Sequence, residues 1–127
     1  MTPDNLRYSK EHEWVLIRKD VAVVGITDYA QSELGDIVYV ELPEVGSQAE
    51  QMQECGVVES VKTVSNIYSP VTGEIIAVNE SVADTPETIN QSPYEEGWLY
   101  KVKIENESEI DDLMTAEEYE SYLEEKS

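Results

Sequence analysis

From Asp20 to Tyr100 the chain holds fifteen Asp or Glu residues and a single basic residue, Lys62. That lysine stands in Gly56-Val57-Val58-Glu59-Ser60-Val61-Lys62-Thr63-Val64-Ser65, and Ser69-Pro70-Val71-Thr72-Gly73 follows soon after. An amine at a tight turn is open to an enzyme that acylates it, and amide formation would remove the charge and attach a long group. The flanks of such a turn must be stiff, because they set where the attached group points. Val57, Val58, Val61 and Val64 supply that stiffness through β-branching. Glu59, three positions before the lysine, is placed to contact the modifying enzyme. The competing reading is an ordinary exposed hairpin lysine, and the lack of other cations around it speaks against that.

Other reactive residue types carry less. Cys55 lies in an apolar run with no basic group near it in sequence, so it reads as a small buried hydrophobe rather than a reactive thiol. One cysteine excludes an internal disulfide and fits a reducing compartment. His12 is the only histidine, and no second ligand or nucleophile pattern accompanies it, so its reading is structural. Trp14 reads as core or cleft wall. The acids are many but unpatterned. With no nucleophile–base pair, no metal-ligand spacing and no Gly-rich phosphate loop, no residue is assigned a catalytic or metal-binding role.

The elements that must position Lys62 are mostly strands. Residues 13–18 and 21–27 read as a hairpin around Lys19-Asp20. Residues 27–35 read as a short helix with Thr27 or Asp28 as N-cap and Gly35 as its stop. Strands follow over 36–42, from about Glu54 to Val61, over 64–68 and over 74–78, with 69–73 as a turn. Asp84 to Asn90 offers a short helical turn with Pro86 near its start. Trp98 to Ile104 alternates strictly and reads as an edge or surface strand. Ser108 to Met114 is a short amphipathic segment. Thr115 to Glu124 reads as a helix opened by a Thr115–Glu118 capping box, with Leu113, Ala116, Tyr119 and Leu123 on its docking face. Short strands with Gly and Pro turns predict a mainly β sandwich or barrel with peripheral helices. At 127 residues the chain reads as one domain, residues 1–127, with a core over about 14–104 and a C-terminal helical appendage over about 108–124.

The formal net charge is −20, from 28 acids and 8 Lys plus Arg. Such a surface repels phosphate backbones and anionic lipid, so nucleic acid and membrane are not expected partners. The N-terminus lacks a signal or transit pattern, and no apolar run approaches the roughly 18 residues of a membrane span. A cytoplasmic protein is expected.

Several ordered blocks resemble H protein of the glycine cleavage system. They are Tyr8-Ser9-Lys10-Glu11-His12-Glu13-Trp14-Val15, Val24-Gly25-Ile26-Thr27-Asp28-Tyr29-Ala30-Gln31, Leu34-Gly35-Asp36-Ile37-Val38, Val40-Glu41-Leu42-Pro43, the stretch from Gly56 to Lys62, the stretch from Tyr68 to Glu74, and the stretch from Asn90 to Leu99. The resemblance runs from about Leu6 to Leu123. It implies a barrel-sandwich hybrid like that of lipoyl and biotinyl domains, and a non-catalytic carrier with lipoic acid in amide linkage on Lys62. Glu59 and Gly73 would be read by the modifying enzyme, a lipoate ligase or octanoyltransferase. Glu13 and Asn66 would line the cleft that shelters the loaded arm. The implied partners are a pyridoxal-phosphate glycine decarboxylase, a tetrahydrofolate-dependent aminomethyltransferase and dihydrolipoyl dehydrogenase. The aminomethyl group of glycine would pass from the first to the second through the arm.

Departures from the family pattern are Asn66 where Asp is common, Thr63 where Ala is common, Tyr39 in place of Phe, and Cys55 where a larger apolar residue often stands. A second role compatible with the sequence is octanoyl or lipoyl donation to other lipoylated enzymes. A biotinyl carrier fits less well, since Val61 and Thr63 stand where that family has methionines. A detached lipoyl domain of a 2-oxoacid dehydrogenase would not carry the Trp98 strand and the C-terminal helix.

Overall fold

The computed structural model describes residues 3–126. Among these residues nine strands run in the order β1 (Arg7–Tyr8), β2 (Glu13–Arg18), β3 (Val21–Ile26), β4 (Ile37–Glu41), β5 (Gln48–Ala49), β6 (Glu54–Ser60), β7 (Val64–Tyr68), β8 (Gly73–Val78) and β9 (Tyr100–Ile104). Helix α1 (Asp28–Leu34) follows β3, α2 (Glu80–Asp84) and α3 (Thr88–Gln91) follow β8, a 3-10 helix spans Glu107–Asp112, and α4 (Ala116–Lys126) comes last. The strands form two antiparallel sheets, one ordered β1-β2-β3-β9-β8-β5 and one ordered β4-β6-β7. The mainly β class with short helices agrees with the expectation from sequence.

Alternation explains how one strand serves two packing layers. On β2, Val15 faces the main core with Val24, Val58, Ile67, Ile75 and Val102. Trp14, one residue earlier, points the other way and packs with Leu6, Tyr8, Ala116 and Tyr119. Trp14 lies flat over β3, which is why its strand partner is Gly25: a Cβ there would sit 2.6 Å from the indole. The Trp14 indole N–H donates to the Pro93 carbonyl at 2.8 Å, so the buried ring leaves no polar atom unpaired.

The capping box at the last helix forms as expected. Thr115 Oγ1 accepts from Glu118 N at 3.2 Å, and Thr115 N donates to the Glu118 carboxylate at 2.9 Å. Its face docks through Ala116 and Tyr119, with Tyr119 stacked on Tyr8 at 4.6 Å. The first helix also has its expected caps, Thr27 and Gly35.

Two expectations are corrected. The strand predicted at 98–104 is no edge: β9 lies between β3 and β8, hydrogen-bonded on both sides. Its alternation reflects one face on the core and one carrying Lys101 and Lys103, a pattern that central antiparallel strands share with edges. The single helical turn expected over 84–90 is two short helices, the first starting at Glu80 under an Asn79 cap. The two-residue strands β1 and β5 went unread, because two residues show no period.

Candidate functional site

β6 and β7 form a hairpin with Glu59 opposite Val64, and Val61 to Thr63 make its turn. Lys62 is exposed at the tip. The turn is held mainly by Ser60. Its backbone N–H donates to the Thr63 carbonyl at 2.8 Å, while its hydroxyl accepts from Thr63 N at 3.1 Å and from Lys62 N at 3.3 Å. The Val61 N–H donates to the Asp36 carbonyl at 3.1 Å, tying the turn to the start of β4. The lysine stem then crosses Gly35, where an added Cβ would lie 3.5 Å from Lys62 Cε. Gly35 has φ +83, a conformation that side-chain-bearing residues avoid, and it ends α1 so that the chain can turn beneath the lysine. The tip is thus a hydrogen-bonded platform with an exposed lysine on it.

Glu59 is half-exposed on β6, in one cross-strand row with Tyr39 and Val64. Asn66 is exposed on β7 and donates to Glu54 Oε1 at 3.1 Å, so a carboxylate from the partner strand is held beside the amide. Asn66 lies four positions after Lys62 and two into β7.

Glu13 is buried, only 1 % exposed, on the same face of β2 as Val15. The turn before it explains how an acid is tolerated there. His12, at φ +69, folds the chain so that Ser9 Oγ donates to Glu13 Oε1 at 2.5 Å and accepts from Glu13 N at 3.1 Å. The other oxygen accepts the Tyr68 N–H at 3.2 Å. Burial nevertheless dominates and pushes the Glu13 carboxyl up from 4.5 to about 7, against the two hydrogen bonds that favour its charge. The group is therefore near half-ionised at neutral pH. β7 links the arrangement: Asn66 lies two residues before Tyr68, whose N–H reaches Glu13.

Gly73 is not brought to the lysine turn. It begins β8 in the other sheet, between Ala49 and Ile104, and a Cβ there would sit 1.9 Å from the Lys103 carbonyl oxygen. Its packing is a backbone contact that only glycine allows.

His12 Nδ1 lies 2.8 Å from the Tyr119 hydroxyl, which is also 2.7 Å from Thr27 Oγ1, the cap of α1. Cys55 is half-buried, its thiol donating to Tyr100 Oη at 3.2 Å, and burial pushes the thiol up to about 11. A thiol so raised is a poor nucleophile at neutral pH. Among the described residues no group of three or more His, Cys, Asp or Glu is arranged to hold a metal ion.

Sequence reasoning did not bring Ser60, Ser9 or Glu54 to the site, and read Gly35 only as a helix stop. Ser60 had a signal, since a Ser two residues before a turn residue commonly accepts backbone N–H bonds. Glu54 had none, because its approach to Asn66 depends on the register shift between Glu54 and Gly56.

Residues 6–126 match the family model described as glycine cleavage H-protein. The chain is 52% identical over 121 residues to the glycine cleavage system H protein of Staphylococcus carnosus, covering 95% of this chain and 96% of that one. It is 54% identical over 123 residues to the protein of the same name from Halothermothrix orenii, covering 97% and 96%. The crystal structure of a glycine cleavage system H protein from Mycobacterium marinum superposes with a TM-score of 0.85 at 40% identity, covering 94% of this chain and 96% of that one.

Proposed function

Because this chain belongs to the glycine cleavage H-protein family, with its barrel-sandwich fold and its non-catalytic carrier role, we propose that Lys62 carries lipoic acid in amide linkage and shuttles the aminomethyl group of glycine. The proposed partners are the pyridoxal-phosphate glycine decarboxylase, which would load the arm, the tetrahydrofolate-dependent aminomethyltransferase, which would unload it, and dihydrolipoyl dehydrogenase. A lipoate ligase or octanoyltransferase would install the cofactor. A cytoplasmic setting is part of the proposal, supported by the lone cysteine; among the described residues no helix is long and apolar enough to cross a membrane.

The observation that carries the reading is the platform under Lys62. An exposed amine stands on a turn fixed by Ser60 and Asp36, and no other cation lies between Asp20 and Tyr100. These residues fit the group: the amine is accessible for acylation, and the hairpin aims whatever it bears. When attached, lipoic acid supplies a disulfide that accepts a one-carbon amine and is later regenerated by oxidation.

The chain's own part is position and shelter. β7 runs from the tip past Asn66 to the point where Tyr68 N holds Glu13. Glu13, near half-ionised, would become fully charged beside an arriving ammonium, since an opposite charge draws a carboxyl pKa down. The Glu54 carboxylate, on β6 and held by Asn66, offers a second negative group beside β7.

The test is intact-mass spectrometry after incubation with lipoate, ATP and a lipoate ligase, followed by peptide mapping. One lipoyl group confined to the Lys62 peptide is expected, with none on Lys62→Arg. An unmodified chain in the presence of a ligase that works on a control substrate would overturn the carrier reading.

A further inference from the structure

Among the described residues seven large hydrophobic side chains are exposed, and four of them flank the lysine turn: Val61 at 71%, Val64 at 60%, Val38 at 55% and Tyr39 at 48%. Two features of the small sheet put them there. Tyr39, Glu59 and Val64 are cross-strand partners in a single row, so their side chains share its outer face, one residue pair from the turn. A register irregularity between Ile37 and Tyr39 then inserts Val38 as an extra residue, so that Ile37 and Val40 both stay in the core while Val38 and Tyr39 are both exposed. In a regular strand Ile37 and Tyr39 would share one face and Val38 and Val40 the other; the irregularity is what leaves Val38 and Tyr39 both outside.

Resting on the reading of Lys62 as the carrier lysine, we infer that this apolar row around Glu59 is the docking face of the enzyme that acylates Lys62, and that the enzyme meets it with an apolar surface bearing basic groups. The charge on the page selects the chemistry. Asp36 and Glu41 are exposed at the two ends of β4, which carries Tyr39, Glu59 sits in the middle of the row, and Lys62 is the only Lys or Arg from Asp20 to Tyr100. A second copy of this chain would set acid against acid, so a cationic partner is the complementary one.

Position selects which partner. An enzyme that reacts with the far end of an attached arm can stay clear of the turn. One that acts on Lys62 Nζ itself cannot. In that step the amine nitrogen attacks the carbonyl carbon of an acyl adenylate, the new C–N bond forms, and the bond from the acyl carbon to the phosphate oxygen breaks with its electrons leaving on AMP. The nitrogen loses one proton before attack and one as the amide forms. The adenylate must be brought within bonding distance of Nζ, and the protein surface that brings it covers the row behind the turn.

The experiment measures initial rates of lipoate attachment by a lipoate ligase with ATP and lipoate, read by intact mass, across a range of carrier concentrations. Tyr39→Thr and Val64→Thr keep strand-forming residues while removing apolar surface, and Ile76→Thr on β8 is the exposed control. Thermal melts monitor folding. The two row variants should raise the apparent KM for the carrier about five- to tenfold each, as loss of an interface anchor does, with kcat nearly kept and Ile76→Thr unchanged. Wild-type KM in both folded row variants would overturn the inference while leaving the carrier reading intact. So would unchanged acylation combined with slower loading by the glycine decarboxylase, which would assign the face to that partner. A dimer in sedimentation velocity that the row variants dissociate would overturn it in favour of self-association. Absence of acylation in the wild-type chain would instead sink the carrier reading beneath it.

Discussion

A carboxyl whose pKa is lifted by burial carries a definite pH signature. Below about pH 4.5 Glu13 is protonated in the folded and the unfolded chain alike. Between 4.5 and about 7 the unfolded chain releases this proton and the folded chain keeps it. Stability from this group therefore falls as pH rises through that window, by about 3 kcal/mol in all, and is level above it. Glu13→Gln should remove that slope. Its amide satisfies one of the two donors, Ser9 Oγ or Tyr68 N, and faces the other, so a constant loss of about 1 kcal/mol is expected on top. Urea unfolding from pH 4 to 8 on both chains isolates the difference, and identical slopes would show that Glu13 does not titrate in this way. Nothing in the composition around His12-Glu13-Trp14 distinguished this acid from its exposed neighbours; the family resemblance singled it out. Its burial comes from strand alternation, which places it beside Val15, and from the Ser9 hydroxyl, which makes that placement tolerable.

Single elements raise a different question: whether a residue near the carrier lysine acts on the modifying enzyme or on the backbone. Ser60→Ala removes the hydroxyl that accepts the Lys62 and Thr63 N–H groups. A loss of about 1 kcal/mol is expected, as for a lost helix cap, with faster amide exchange at residues 62 and 63 and slower acylation; Ser60→Thr should restore all three. Gly73→Ala should act otherwise. Its Cβ would collide with the Lys103 carbonyl, at a cost of about 3 kcal/mol or more. Acylation per folded molecule should stay near wild type at low temperature. A folded but poorly acylated Gly73→Ala would show that the enzyme reads this glycine directly. The strands around both residues were legible because their valines and isoleucines are dense and their turns marked by Gly and Pro. Sheet order was not. β9 joins β3 to β8 although 73 residues lie between Ile26 and Tyr100 and 21 between Val78 and Tyr100, and no local pattern encodes such pairings. β5 exists only because β8 offers it an edge.

The charge of the whole molecule makes two predictions of opposite sign from one cause. A net charge of −20 is confined in a chain of 127 residues, whose folded radius of gyration is about 14 Å. At about 10 mM salt the Debye length is about 30 Å, so every acid feels every other; at about 150 mM it is about 8 Å, so only neighbours interact. Raising salt across this range should relieve self-repulsion in the compact state and raise the melting temperature by several degrees. Over the same range it should weaken the attraction between the acidic face around Lys62 and a basic partner, lowering kcat/KM for acylation through slower encounter. A protein stabilised by salt and served less well by it is the expected pattern. If both quantities rise together, the partner is not steered by charge, and the acids beside Tyr39 and Val64 contribute only to repulsion within the fold. Neutralising Glu59 separates the two effects: Glu59→Gln removes one of 28 acids and so leaves the salt dependence of melting almost unchanged. It should flatten the salt dependence of acylation, because that single carboxylate lies in the middle of the docking row.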